Sequence, residues 1–220
     1  MTPTVVVLSS PSGGGKTTIA KRLLTDWPAE FGYSVSATTR APRAGEVEGQ
    51  AYHFLSPDEF DARIRRGEFL EWAEYAGERY GTLKAEVDRV LASGRHVVLD
   101  IEIQGARAVR RAYPRPGSVA IFILPPSAPA LVSRLTFRRT DRIGKIRERL
   151  DIARGEVLES KTYDYVVVND QLDLAVRAVA DIVRGGKDGH DVPERPPQYQ
   201  ALVDEFLTGL SEALEQSGPE

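Results

Sequence analysis

The clearest signal along the chain is a switch between two hydrophobic periods. Thr4 to Ser9 (TVVVLS) is short, β-branched and continuously apolar, the pattern of a strand buried on both faces. From Lys16 to Trp27 the apolar residues Ile19, Ala20, Leu23, Leu24 and Trp27 recur at helical spacing, and Pro28 stops the run. The pattern returns three times: Arg95 to Asp100, Val119 to Leu124 and Tyr165 to Asn169 are apolar strands, each followed by a helical stretch. Strands alternating with helices predict an α/β fold, with a parallel sheet covered by helices on both faces.

Residues 33–95 break this rhythm. Their alternating segments (SVSATT, AYHFLS, FLEWAEY) predict short antiparallel strands around one helix that begins at Ser56-Pro57-Asp58-Glu59. There serine caps, proline suits the first helical position, and glutamate at the third completes a capping box. This stretch reads as an inserted lobe within one domain over 1–184, whose core is 1–32 and 96–184. A basic stretch without clean periodicity, 136–148, reads as a mobile lid. A Gly/Pro-rich linker over 185–198 then leads to a final helix, 199–216. In that helix Leu202, Val203, Phe206, Leu207, Leu210, Ala213 and Leu214 form one apolar stripe, which must lie on the chain's own core or on another subunit. The free linker favours the subunit contact, hence a homo-oligomer.

The 220 residues suffice for one α/β domain with small insertions. A 41% hydrophobic and 28% charged composition excludes disordered and fibrous classes. Apolar runs are strand-sized, so neither a membrane span nor a secretory leader is expected. The absence of cysteine excludes disulfides, thiolate metal sites and a cysteine nucleophile, and suits a cytoplasmic location. A net charge of −3 argues against a nucleic-acid partner, yet Arg134 to Arg149 holds seven basic residues against two acidic ones, which suits an anionic ligand. His53, His96 and His190 show no ligand spacing.

Ser10, Pro11, Ser12, Gly13, Gly14, Gly15, Lys16 and Thr17 (SPSGGGKT) lie between the first strand and the first helix, with Thr18 next in the helix. Three glycines let the backbone curl into a nest of N–H groups at a helix N-terminus, where polyphosphate binds. Lys16 can reach the β and γ phosphates, and the Thr17 hydroxyl can coordinate magnesium. Ser10 replaces the first glycine of the strict pattern, while Gly15 and Lys16 keep their spacing. The bland alternative is a flexible glycine turn. Asp100, closing RHVVLD, is a second candidate for the magnesium shell; by itself it could be a strand-end turn residue.

At FGYSVSATTRAPRAGEVEGQAYHFLS the sequence resembles guanylate kinases, and the resemblance continues through FLEWAEYAGERYGT, LDIEIQGA, FILPPS and VVVND to about Val183. It implies a P-loop nucleoside monophosphate kinase that uses Mg2+ and ATP to phosphorylate GMP, with the choice between GMP and dGMP left open. By similarity, Ser36, Arg40, Arg43, Tyr52 and Tyr80 would grip the GMP phosphate, Glu71 and Thr82 would read guanine, and Asp100 and Glu102 would also face GMP. Arg134, Arg138 and Arg149 would join Lys16 and Arg40 around the transferring phosphoryl group, and Asn169 would lie near the adenine of ATP.

The residue chemistry agrees. Two arginines offer forked donors to a dianionic phosphate, and tyrosine hydroxyls complete the shell without adding charge. Guanine presents two adjacent N–H donors that one carboxylate can accept together; adenine does not. Taken alone, the arginines would be a solvated loop and Glu71 an exposed strand residue. Departures from the family pattern are Phe137 and Arg139 where small residues are usual, Arg142, Gly144 and Lys145 in place of an acidic run, and Glu102 in place of aspartate. Two other functions compete: a nonenzymatic scaffold module, which would be expected to lose the phosphate loop or its lysine, and a kinase for another acceptor, which would not need Glu71, Thr82 and the paired arginines together.

Overall fold

The computed structural model describes residues 2–75, 77–136, 143–185, 193–196 and 198–216. Strands are β1 (Val5–Ser9), β2 (Phe31–Tyr33), β3 (Ala37–Thr38), β4 (His53–Phe54), β5 (Phe69–Tyr75), β6 (Glu78–Leu83), β7 (His96–Asp100), β8 (Ser118–Leu124) and β9 (Tyr165–Val168). Helices are α1 (Lys16–Asp26), α2 (Pro57–Arg65), α3 (Lys84–Ala92), α4 (Ile103–Ala112), α5 (Ala128–Thr136), α6 (Ile143–Glu159), α7 (Leu172–Arg184) and α8 (Tyr199–Gln216). Five strands form one sheet in the order β2-β7-β1-β8-β9, and four form another in the order β4-β3-β6-β5. Every residue of β1 is buried, as its unbroken apolar run requires.

Contacts divide the chain into two units, Met1–Val7 with Leu24–Val119 and Leu8–Leu23 with Ala120–Glu220. In the first, β2 pairs in parallel with β7, Phe31 opposite His96. The four-stranded sheet of this unit has its own small core of Ala37, Phe60, Phe69 and Leu83, with Phe60 and Phe69 stacked at 4.3 Å between ring centroids. The sheet is mixed: β5 and β3 run antiparallel to β6, but β3 runs parallel to β4, contrary to the all-antiparallel expectation. The link between β3 and β4, Thr39 to Tyr52, is a long loop and not a hairpin turn, so it can return the chain in either direction.

In the second unit, β8 pairs in parallel with β9, Ile121 opposite Tyr165. Helix α7 buries Ala175, Val176, Val179, Ala180, Ile182 and Val183 and ends at Gly185, whose φ of 71° suits a left-handed C-cap. Helix α8 packs against α5 and α6. Val203, Phe206 and Leu210 are buried there, so the stripe assigned above to a subunit contact is covered by the chain's own helices. Residues 137–142, the part of the expected lid that holds Phe137, Arg138, Arg139 and Arg142, lie outside the described residues, as do 186–192 of the linker. From Ile143 onward the chain is already helical.

Candidate functional site

The glycine-rich loop of the second unit is closely folded. Gly13 and Gly15 have φ of 83° and 97°, which a side chain rarely tolerates, while Gly14 lies between them and donates its N–H to the Pro11 carbonyl at 2.8 Å. A Cβ at Gly14 would stand 2.7 Å from the Ser10 Cβ. Ser10 is buried and its hydroxyl donates to the Pro11 carbonyl at 2.9 Å. The serine that departs from the strict pattern is thus accommodated by the missing side chain of Gly14. Lys16 opens α1, and the Ile19 N–H closes the first turn on the Gly15 carbonyl at 3.1 Å. Thr17 and Thr18 are exposed on that turn.

Two of the predicted site residues reach this loop. Arg134, on the last turn of α5, donates to the Gly13 carbonyl at 3.4 Å. Asn169, immediately after β9, is buried and donates its side-chain amide to the Gly14 carbonyl at 3.0 Å. Arg149 sits half-buried on α6. Arg138 lies outside the described residues.

The first unit holds the remaining candidates. Arg40 Nη2 donates to both carboxylate oxygens of Glu46, at 2.9 and 3.0 Å, and Nη1 donates to the Ala41 carbonyl at 2.8 Å. Its side chain is only 14% exposed. The guanidinium lies over the Tyr52 ring at 5.5 Å, and Tyr52 meets Tyr80 edge-on at 6.0 Å. Glu46 also accepts the Arg43 backbone N–H at 2.7 Å, leaving the Arg43 side chain exposed. The Arg40 hydrogen bond, followed by that of the Arg43 N–H, holds the Glu46 carboxyl below its ordinary range. Arg40 is in turn raised, first by Glu46 and then by Tyr80. One arginine is therefore preset and the other presented to solvent. Ser36 is half-buried, and its carbonyl accepts the His53 N–H at 2.8 Å.

Glu71 owes its direction to an irregularity in pairing. Phe69 opposes Leu83, but Glu71, not Leu70, opposes Thr82, because the register shifts between Phe69 and Glu71. Such a shift moves a side chain to the other face of the sheet. The Thr82 hydroxyl donates to Glu71 Oε1 at 2.5 Å. Burial raises the Glu71 carboxyl above its ordinary value, hydrogen bonds from Thr82 oppose this, and the Glu102 charge adds to the rise. On the other side of the carboxylate is Gly105 of α4, where a Cβ would stand 2.9 Å from Glu71 Oε2. Glu102 is the exposed residue that precedes α4. Asp100, at the end of β7, helps to raise the hydroxyls of Tyr33 and Tyr52, for both of which burial is the larger cause.

Sequence reasoning gave no role to Glu46, Gly105 or Tyr33. Glu46 and Gly105 lie within the motifs that carry the resemblance, but their jobs depend on neighbours distant in sequence.

A strand, glycine-rich loop and helix on a parallel α/β sheet, with Lys16 and Thr17 at the helix start, define a P-loop nucleotide-binding protein. Residues 2–185 match the guanylate kinase family, and the chain belongs to it. The guanylate kinase of Geobacter metallireducens is 46% identical over 177 residues, 80% of this chain and 86% of that protein. That of Bacillus cereus is 45% identical over 203 residues, 92% and 97% of the two chains. Among solved structures, the crystal structure of guanylate kinase from Anaplasma phagocytophilum matches with a TM-score of 0.65 at 30% identity, covering 94% of this chain and 96% of that one.

Proposed function

We infer that the chain transfers the γ-phosphoryl group of ATP to GMP, giving ADP and GDP, in purine nucleotide metabolism. The observation that carries the choice of acceptor is the Glu71 carboxylate, partly withdrawn from water and braced by Thr82 at 2.5 Å. A carboxylate so placed can accept the two adjacent N–H groups of guanine, and adenine has no such pair to offer. Arg40, Arg43, Tyr52, Tyr80 and Ser36 are the proposed phosphate shell of GMP, with Asp100 and Glu102 also facing that nucleotide.

ATP is assigned to the loop from Ser10 to Thr18, where backbone N–H groups and Lys16 cradle the phosphates. The acceptor is an ionised phosphate oxygen, so no general base is required. It attacks the γ phosphorus, the bond to the β,γ-bridging oxygen breaks, and that electron pair leaves with ADP. Lys16, Arg40, Arg134, Arg138 and Arg149 are proposed to neutralise the charge that spreads over the transferring group. Among the described residues no cluster of three or more His, Cys, Asp or Glu side chains forms a metal cage. Magnesium keeps water and phosphate ligands and takes few from protein. Thr17, with Asp100 as the proposed acidic member of the shell, fits a hard oxygen donor set. When bound, the ion supplies positive charge to the phosphate oxygens. No described helix is long and apolar enough to cross a membrane, and the proposed setting for a cysteine-free nucleotide kinase is the cytoplasm.

A coupled assay with GMP, dGMP, AMP, CMP and UMP tests the acceptor. Turnover should be confined to the guanine nucleotides, and Glu71→Gln should lower kcat/KM for GMP by about two to four decades while ATP binding hardly changes. Normal GMP turnover by that variant would overturn the base-reading role.

A further inference from the structure

We propose that Asn169 is a positioning residue for the phosphate loop, acting on the triphosphate through the Gly14–Gly15 peptide and not through the adenine base. Its side chain is buried, its backbone N–H is fixed on the Leu124 carbonyl at 2.8 Å, and its amide meets the Gly14 carbonyl at 3.0 Å. The nitrogen must be the atom facing that carbonyl, since the amide oxygen would set two acceptors against each other. A Cβ on Gly15 would collide with the same Asn169 nitrogen, so the amide sits directly on the loop backbone.

The peptide plane carries the consequence. In a trans peptide the carbonyl of one residue and the N–H of the next point in opposite directions. Holding the Gly14 carbonyl toward Asn169 aims the Gly15 N–H away from it. Gly13 and Gly15 both have positive φ while Gly14 does not, the alternation that turns successive N–H groups into an anion-binding nest. Without the amide, the Gly14 carbonyl would be buried and unsatisfied, and the peptide would rotate to find a partner, withdrawing the N–H from the nest. Asn169, just past β9, and Arg134, on α5, hold two successive carbonyls of the loop, those of Gly14 and Gly13.

This inference rests on the assignment of ATP to the loop, which wild-type ATP binding and turnover test separately. The experiment is calorimetric titration of the full chain with Mg-ATP, with inorganic tripolyphosphate and with GMP, for wild type, Asn169→Leu and Asn169→Asp. Asn169→Leu keeps the bulk and loses the donor; it should weaken ATP and tripolyphosphate by the same factor, about ten-fold, and leave GMP unchanged. Asn169→Asp places a carboxylate against the Gly14 carbonyl at neutral pH, but its protonated form restores a donor. Tripolyphosphate affinity of Asn169→Asp relative to Asn169→Leu should therefore improve as pH falls, which a loss of packing would not produce. A loss confined to ATP, with tripolyphosphate binding intact, would assign Asn169 to the base and overturn the proposal, as would unchanged binding of both ligands.

Discussion

The Glu71 carboxylate is confined on two sides, by the Thr82 hydroxyl and by the bare backbone of Gly105, and each constraint has a measurable consequence. Gly105 lies within α4 and its φ is not in the left-handed region, so alanine fits the backbone there. Gly105→Ala should leave the melting temperature near or below wild type, because the roughly 0.5–1 kcal/mol that alanine adds to the helix is offset by the displaced Glu71–Thr82 hydrogen bond. It should also raise KM for GMP about ten-fold or more by pushing the carboxylate off Thr82, with KM for ATP unchanged. A variant with normal KM for GMP would show that Glu71 can shift freely. The raised carboxyl also sets a pH dependence. The folded chain holds this proton where the unfolded chain has released it, so the stability Glu71 contributes is complete below the ordinary glutamate value and is lost as pH rises through the raised one. In the proposed base-reading role guanine needs the ionised form, so KM for GMP should climb as pH falls through that raised value. Glu71→Gln should lack this inflection and keep only the ionisation of GMP itself, near about 6 for a phosphate monoester. Superimposable profiles would refute the assignment. The sequence marked Glu71 only through the family motif, because the shift that turns it toward Thr82 is a property of strand pairing and leaves no local signature.

Elements with strong periodicity or chemical caps were legible in the sequence to within a residue or so. β1, α1, β7, β8 and β9 fall where the apolar runs placed them. Two segments here went unread: β2, whose three residues with a central glycine are too short to show any period, and α3 (Lys84–Ala92), a second helix in a stretch expected to hold one. The four-stranded sheet was read as a lobe, but its mixed direction follows from the path of the Thr39–Tyr52 loop, which composition does not encode. Helix α2 shows how far a local motif holds. Ser56 accepts the Glu59 N–H at 3.2 Å and Pro57 opens the helix, as predicted. The Glu59 side chain, however, binds Arg63 at 2.9 Å and Arg66 at 3.0 Å, ion pairs that draw it from the reciprocal half of the capping box. Ser56→Ala should therefore cost about 1 kcal/mol in denaturant unfolding, as for a lost N-cap. Glu59→Ala should cost clearly less, because exposed ion pairs contribute little. Equal losses would mean that the complete box operates in solution.

At the scale of the whole chain, the fate of the C-terminal helix decides how its apolar stripe is used. From sequence, the stripe could cover the chain's own core or a second subunit, and the linker favoured the second. What the sequence could not display is the surface waiting for it: α5 and α6 leave a face into which Phe206 and Leu210 sink completely, and Gly209 comes so close to α5 that a Cβ there would stand 2.7 Å from the Ala128 Cβ. The Tyr199 hydroxyl pairs with that of Ser160 at 2.7 Å, and Arg195, whose guanidinium lies over the Tyr199 ring, donates to the Asp164 carbonyl at 2.9 Å, so the start of α8 is tied to the same unit. Because α5 ends near Arg134, whose guanidinium reaches the phosphate loop, loosening α8 should be felt in turnover as well as in stability. Phe206→Ala should cost about 3–5 kcal/mol as a large-to-small change in a sealed core, and lower the melting temperature by about 6–20 °C for a chain of this length. Its mass by light scattering should match wild type at every concentration, and kcat should fall while KM for GMP stays constant. A reduced mass with an unchanged melting temperature would instead place the stripe on a second subunit.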